Sequence, residues 1–106
     1  MTLFINACVR EASRTKELAD HLLSRQNCPY EEVRLDAIEF PIVNQSFLEK
    51  RDRLIFDRDF SNPLFDLARQ FAAADDIVIA APFWDLSFPA ALKQYFEQIN
   101  VVGIIS

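Results

Sequence analysis

Residues 75–99 read DDIVIAAPFWDLSFPAALKQYFEQI, and the order of residue types predicts a strand, a bend and a helix. Ile77, Val78, Ile79, Ala80 and Ala81 form a short apolar run between Asp75-Asp76 and Pro82. An apolar run without alternation suits a strand covered on both faces, as in a parallel sheet flanked by helices. Pro82 cannot donate to a ladder and biases Ala81 to extended geometry, so the strand is expected to stop there. Ser87 is a candidate helix cap, and Pro89 is tolerated in a first turn. Phe88, Leu92, Tyr95, Phe96 and Ile99 then recur at i, i+4, i+7, i+8 and i+11, which predicts one buried face. The intervening residues, 82–87, fall at the carboxyl end of a central strand, where open α/β sheets bind ligands.

Upstream, Thr2–Ala7 (TLFINA) is apolar enough to be a first strand, and Cys8–Ala12 a loop. Ser13 can cap a helix whose stripe is Thr15, Leu18, Ala19, Leu22 and Leu23, ending near Gln26. Tyr30–Asp36 alternates at Val33 and Leu35, as a half-exposed edge strand does. These elements make a βαβ unit with the right-handed crossover such units take. Residues 37–60 are the least regular, with a short helix expected near Phe47–Leu54. Two readings stand for them: a solvated excursion over the sheet, or a loop that closes over a ligand or packs on a partner. Asn62 or Ser61, with Pro63 next, opens another helix whose stripe is Leu64, Leu67, Ala68, Phe71 and Ala72.

Composition narrows the function. The 106 residues suit one domain with a modest core, 51 % of them hydrophobic and ten of them Phe. A net charge of -5 argues against nucleic acid or an anionic membrane surface as the main partner. No apolar run is long enough to span a bilayer, and no signal-peptide pattern opens the chain. Cys8 and Cys28, the only cysteines, read as reduced thiols of a cytoplasmic protein. With the single His21 they do not make a metal site. Gly103 is the only glycine, so G-x-G-x-x-G, the P-loop and the nucleophile elbow are all absent. Asp75 and Asp76 stand at the wrong strand end for a phosphoacceptor and read as solvated turn residues.

Two loops are left as candidates, and the topology would bring them together. In residues 7–15 (ACVREASRT), Ser13 and Thr15 hydroxyls, free backbone N–H groups and the positive end of a helix would suit a phosphate, with Arg10 and Arg14 adding charge. The alternative is a capping serine with exposed arginines. In residues 82–87, Phe83 and Trp84 could flank a planar ring. The alternative is an aromatic plug of the core or of a subunit contact.

At these two loops the chain resembles the flavodoxin-like NAD(P)H dehydrogenase (quinone) family, which includes FMN-dependent azoreductases. ADDIVIAAPFWDLSFPAALKQYFEQI is similar to the family's strand, its P-aromatic-aromatic-Asn/Asp-x-x-x-P flavin loop and its LK-x-Y helix. LFINACVREASRTKELADHLL is similar to its first strand, phosphate loop and helix. The resemblance implies a single α/β domain over 1–106, a flavodoxin-like three-layer parallel sheet of strand order 2-1-3, with FMN across the carboxyl ends. Ser13, Arg14 and Thr15 would hold the FMN phosphate, and Pro82, Phe83, Trp84, Asp85 and Leu86 would line the isoalloxazine. NAD(P)H would reduce the flavin, which would pass two electrons to a quinone, azo or nitro compound, with no catalytic side chain required because the flavin carries the chemistry.

Departures from the family are specific. Ala7 and Cys8 stand where it has serines or Gly-Ser. Its later strands and glycine-containing third flavin loop have no counterpart, and residues 100–106 (NVVGIIS) look like the start of that continuation. Without them the third strand would be an uncovered apolar edge, and a homodimer pairing through that edge or the tail is expected. Two further functions compete with the oxidoreductase: a non-catalytic dimerisation module of the same fold, and a flavodoxin-type electron carrier, which the LK-x-Y helix disfavours.

Overall fold

The computed structural model describes residues 1–8, 14–26, 29–82 and 88–105, the side chains of Arg14 and Gln26 excepted. Its sheet has three described strands: β1 (Thr2–Asn6), β2 (Tyr30–Arg34) and β3 (Asp76–Ala80). All pairings are parallel and the order is β2-β1-β3. The register sets Leu3 beside Glu31 and Ile77, and Asn6 beside Arg34 and Ala80. β1 is therefore central, and every one of its five residues is buried.

Alternation along β1 builds a core on each face. Leu3, Ile5 and Ala7 join Phe65, Leu92, Tyr95, Ile99 and Val101 on one side. Phe4 and Cys8 join Ala19, Leu23 and Ala80 on the other. The second face is covered by α1 (Arg14–Gln26). The first is covered by α3 (Asp66–Ala73) and α4 (Ala90–Ile99), with α2 (Gln45–Phe56) leaning on it through Leu54 and Ile55. Helix, sheet and helices make the three expected layers.

Several local expectations are corrected by this packing. β3 is covered on one face only: Val78 and Ala80 pack under α1, while Ile77 and Ile79 are 36 % and 42 % exposed. The cause is its place at the border of the described sheet, where no described strand flanks it on the outer side. Among the described side chains of α1 only Ala19 and Leu23 are buried; Leu18 and Leu22 project to solvent. A helix lying on a single sheet face buries a narrower stripe than one packed between two layers. On α4, Leu92, Tyr95 and Ile99 are buried but Phe96 is exposed, as is Phe88, which precedes the helix. Pro89 is the residue before the helix rather than a member of its first turn, and Ser87 lies outside the described residues.

β2 ends at Arg34, and Leu35–Ala37 turn as a 3-10 segment that still buries Leu35. α2 is longer than expected; Asn44 caps it by accepting the Phe47 N–H at 2.9 Å, and none of its residues is fully buried. Its end shows how a chain almost without glycine closes a helix. Arg58 adopts φ 56°, donates its N–H to the Ile55 carbonyl at 3.0 Å, and Asp59 donates to Leu54 at 2.9 Å. That is the paired termination usually built on a left-handed glycine. Asn62 accepts the Leu64 N–H at 3.0 Å and opens a 3-10 turn, Pro63–Phe65, ahead of α3. Phe65, in this turn, is buried in the core, whereas Ala72, expected on the buried stripe, is exposed. Arg69 fastens the same corner by donating to the carbonyls of Phe60 and Asn62 and pairing with Asp66. Gly103, at φ +97°, passes so close to the Phe60 ring that a Cβ would sit 2.6 Å from its Cζ.

Tyr95 is fully buried, and its hydroxyl has no hydrogen-bond partner among the described residues. Burial pushes the phenol up to about 12. A raised pKa favours the protonated native state. Stability from this group is therefore complete below about pH 10, the ordinary phenol value, and is lost as pH climbs through about 12. Tyr95→Phe is expected to leave stability unchanged or raise it by up to about 2 kcal/mol, since it removes an unsatisfied buried hydroxyl. Urea titrations of both proteins at neutral and alkaline pH check this: the variant should lose less stability above pH 10.

Candidate functional site

The carboxyl ends of β1 and β3 form one rim. Ala7 donates its N–H to the Ala80 carbonyl at 2.8 Å, so the chain leaves the two strands from adjacent positions. Cys8 Sγ lies 3.7 Å from the same carbonyl. Asn6 controls the exit from β1: its Oδ1 accepts the Cys8 N–H at 3.0 Å, and its Nδ2 reaches Glu32 at 3.5 Å. Asn6 is buried and is not a residue that sequence reasoning singles out. The available signal is an Asn closing an apolar strand, a residue type that hydrogen-bonds two positions ahead to start a turn. β3 ends at Ala80, one residue short of the expected stop at Ala81, and Pro82 beyond it is buried.

α1 returns from this rim and packs on β3 as well as β1's Phe4. Its amino end opens at Arg14, after the connection that leaves the carboxyl end of β1. The first-turn N–H groups there have no intrahelical acceptor, and the aligned peptide dipoles leave a positive end. Thr15 is half-buried in that turn. Lys16 adds a cation, tied to Asp20 at 2.9 Å; that hydrogen bond, and then the charge of Asp20, raise its pKa above the usual value. The rim thus carries a hydroxyl, backbone donors and positive charge on one side, and buried Pro82 on the other. This donor set suits a phosphate.

Of the expected site residues, Thr15 and Pro82 are at this rim, and the backbone of Arg14 begins α1 there. Ser13, Phe83, Trp84, Asp85 and Leu86 lie outside the described residues, as does Arg10. Cavities elsewhere do not compete for the same ligand. One of about 260 Å³ opens between residues 40–43 and the exposed side of α4. One of about 210 Å³ lies at the opposite sheet end, by Met1, Glu31 and Gln70. Neither touches Thr15 or Pro82. Among the described residues no cluster of acids, His and Cys could hold a metal ion, and no helix is long and apolar enough to cross a membrane.

A family model described as flavodoxin-like fold matches residues 1–106. The chain belongs to the flavodoxin-like fold family. Among its relatives are proteins named FMN-dependent NADH:quinone oxidoreductase. The one from Coprothermobacter proteolyticus is 37 % identical over 99 residues, covering 89 % of this chain and 49 % of the relative. The one from Clostridium beijerinckii is 39 % identical over 107 residues, covering 93 % and 52 %. The chain thus spans about half the length of these relatives. The crystal structure of an azoreductase from Bacillus anthracis superimposes with a TM-score of 0.82 at 23 % identity, over 97 % of this chain and 56 % of that one. At that identity the likeness establishes the fold, including the parallel 2-1-3 order. The flavodoxin-like assignment made from residues 75–99 and from the amino-terminal stretch is therefore correct.

Proposed function

We propose that this flavodoxin-like chain is part of an FMN-dependent NAD(P)H oxidoreductase that reduces a small quinone, azo or nitro compound. NADH is the donor favoured by the relatives' names. The observation that supports the reading most is the shared rim: two exits from adjacent parallel strands, joined by the Ala7–Ala80 hydrogen bond, with α1 following the first. Ser13, Arg14 and Thr15 would hold the FMN phosphate through hydroxyl, guanidinium and first-turn N–H groups. Pro82, Phe83, Trp84, Asp85 and Leu86 would line the isoalloxazine. When bound, the flavin supplies two-electron chemistry, accepting hydride from the nicotinamide and delivering it to the acceptor. The protein's own part is to position and to exclude water. Asn6 holds the chain as it leaves β1 by accepting the Cys8 N–H, and Pro82 is buried beyond β3. We assign residues 1–106 to a single domain, located in the cytoplasm and assembled as a homodimer.

Titration with FMN tests this. Quenching of flavin fluorescence should give a Kd in the micromolar range, about -8 kcal/mol of binding free energy. NADH oxidation coupled to benzoquinone should then require FMN. Absence of binding at tens of micromolar FMN would sink the cofactor assignment. A second reading, a non-catalytic dimerisation module, is favoured by one observation, the exposed Ile77 and Ile79 at the sheet border. Dimerisation without flavin binding would select it.

A further inference from the structure

Asn6 is a buried polar side chain at the carboxyl end of the central strand, 4 % exposed. Alternation puts it on the face of Phe4 and Cys8, toward α1. An amide buried there costs stability unless both of its ends are used. Both are. Oδ1 accepts the Cys8 N–H at 3.0 Å, and Nδ2 stands 3.5 Å from Glu32 Oε2. The two partners fix the amide one way round, because a backbone N–H requires an oxygen and a carboxylate requires an N–H. Reversed, the amide would set donor against donor and acceptor against acceptor. Neither near-isostere serves: Asp would keep the Cys8 contact but set two carboxylates together, and Leu would keep neither contact.

These contacts lie where the chain leaves the sheet. Ala7 donates to the Ala80 carbonyl at 2.8 Å and Cys8 donates to Asn6, so the first two N–H groups after β1 are both held. Only residues 9–13 separate Cys8 from the start of α1 at Arg14. At about 3.3–3.6 Å per residue, so short a tether makes the direction at Cys8 a bound on the position of Ser13. Glu32 also acts on α1. Lys16, in the first turn, has its pKa raised first by its hydrogen bond to Asp20 and then by the charge of Asp20, and the Glu32 carboxylate adds to the rise. One carboxylate on the edge strand thus serves both the exit from β1 and the opening turn of α1.

We propose that Asn6, oriented by Glu32, is a positioning residue for the FMN phosphate. Acting through the Cys8 backbone, it holds the exit of β1 in the geometry the phosphate site requires, so that FMN does not have to order it on binding. The proposal rests on the FMN reading above. Its test is flavin fluorescence titration, with turnover measured separately. Asn6→Ala should raise the Kd for FMN at least about tenfold, as the loss of one buried hydrogen bond implies. At saturating FMN, kcat and the KM values for NADH and benzoquinone should match those of the unsubstituted chain, a split that general damage to the fold would not produce. Asn6→Asp should bind FMN weakly too. Adding Glu32→Gln to Asn6→Asp should restore binding, because the new amide donates to one oxygen of the introduced carboxylate while the other still accepts from Cys8. Adding Glu31→Gln instead gives the same net charge, but Glu31 pairs with Gln70 on the other face of the sheet, so binding should stay weak. Circular dichroism checks the fold of each variant, and if Asn6→Ala does not fold, the two double variants decide. Equal FMN affinity in Asn6→Ala, or equal recovery in both double variants, overturns the proposal and leaves the FMN reading standing. No FMN binding by the unsubstituted chain overturns both.

Discussion

Phe4→Ala is expected to lower the unfolding free energy by about 4 kcal/mol, a large share of the roughly 5–15 kcal/mol typical of such a domain. Phe4 is 0 % exposed and, among the described residues, is the only aromatic side chain in the buried cluster under α1. The rest of that cluster is small: Cys8, Ala19, Leu23 and Ala80, with Val78 half-buried beside it. Its ring also meets Tyr30 edge-on at 6.1 Å, which ties β2 to the same face. Its described neighbours cannot collapse into the space, because β1 is held in register on both sides and Ala19 and Ala80 have no reach. The cost therefore includes the cavity as well as the lost transfer energy. Urea unfolding checks the value. Hydrogen exchange should further show α1 losing protection before α3 and α4, whose cluster on the other face does not include Phe4.

Arg14→Glu is expected to weaken FMN binding by about 100-fold or more, near 3 kcal/mol. Two effects act together at the amino end of α1. In the proposed site a charge-assisted bond to the phosphate would be removed, worth about 1.5–3 kcal/mol, and a negative charge would be placed against the dianion. The control is Arg25→Glu, at the other end of the same helix and exposed. It changes the net charge equally but lies more than a Debye length from the rim at physiological salt, so FMN affinity should hold while helix stability falls by under about 1 kcal/mol. Flavin fluorescence titration of both variants measures the contrast. Equal loss in the two would mean a general electrostatic effect and would remove Arg14 from the phosphate site.

Legibility from the sequence varies by element for physical reasons. β1 is readable because a central strand in a parallel sheet must be apolar on both sides. The edge character of β2 is readable because solvent on one side imposes alternation. α4 is located by its spacing, but the spacing does not say which of its aromatics will be covered. Phe96 is no less apolar than Tyr95; Tyr95 is buried and Phe96 is not because α4 docks on α3 through one side only. The inward Phe65 escapes a helical reading because the 3-10 turn set by Asn62 and Pro63 changes the angular spacing of side chains from that of an α-turn.

For the site, the chain's order of strand and helix places the carboxyl ends of β1 and β3 on one rim. Parallel strands joined by helices must leave the sheet from the same edge, and this follows from connectivity alone. Two residue roles needed coordinates. Asn6 holds the turn after β1, and Ile77 and Ile79 stand open at the border. Both depend on which atoms face each other across strands far apart in sequence. Periodicity along one segment carries no information about that. The sequence by itself determined the layers, the parallel order and the rim. Only the tertiary structure decided which side chains each layer covers, because burial is a property of the neighbour that arrives and not of the residue that waits.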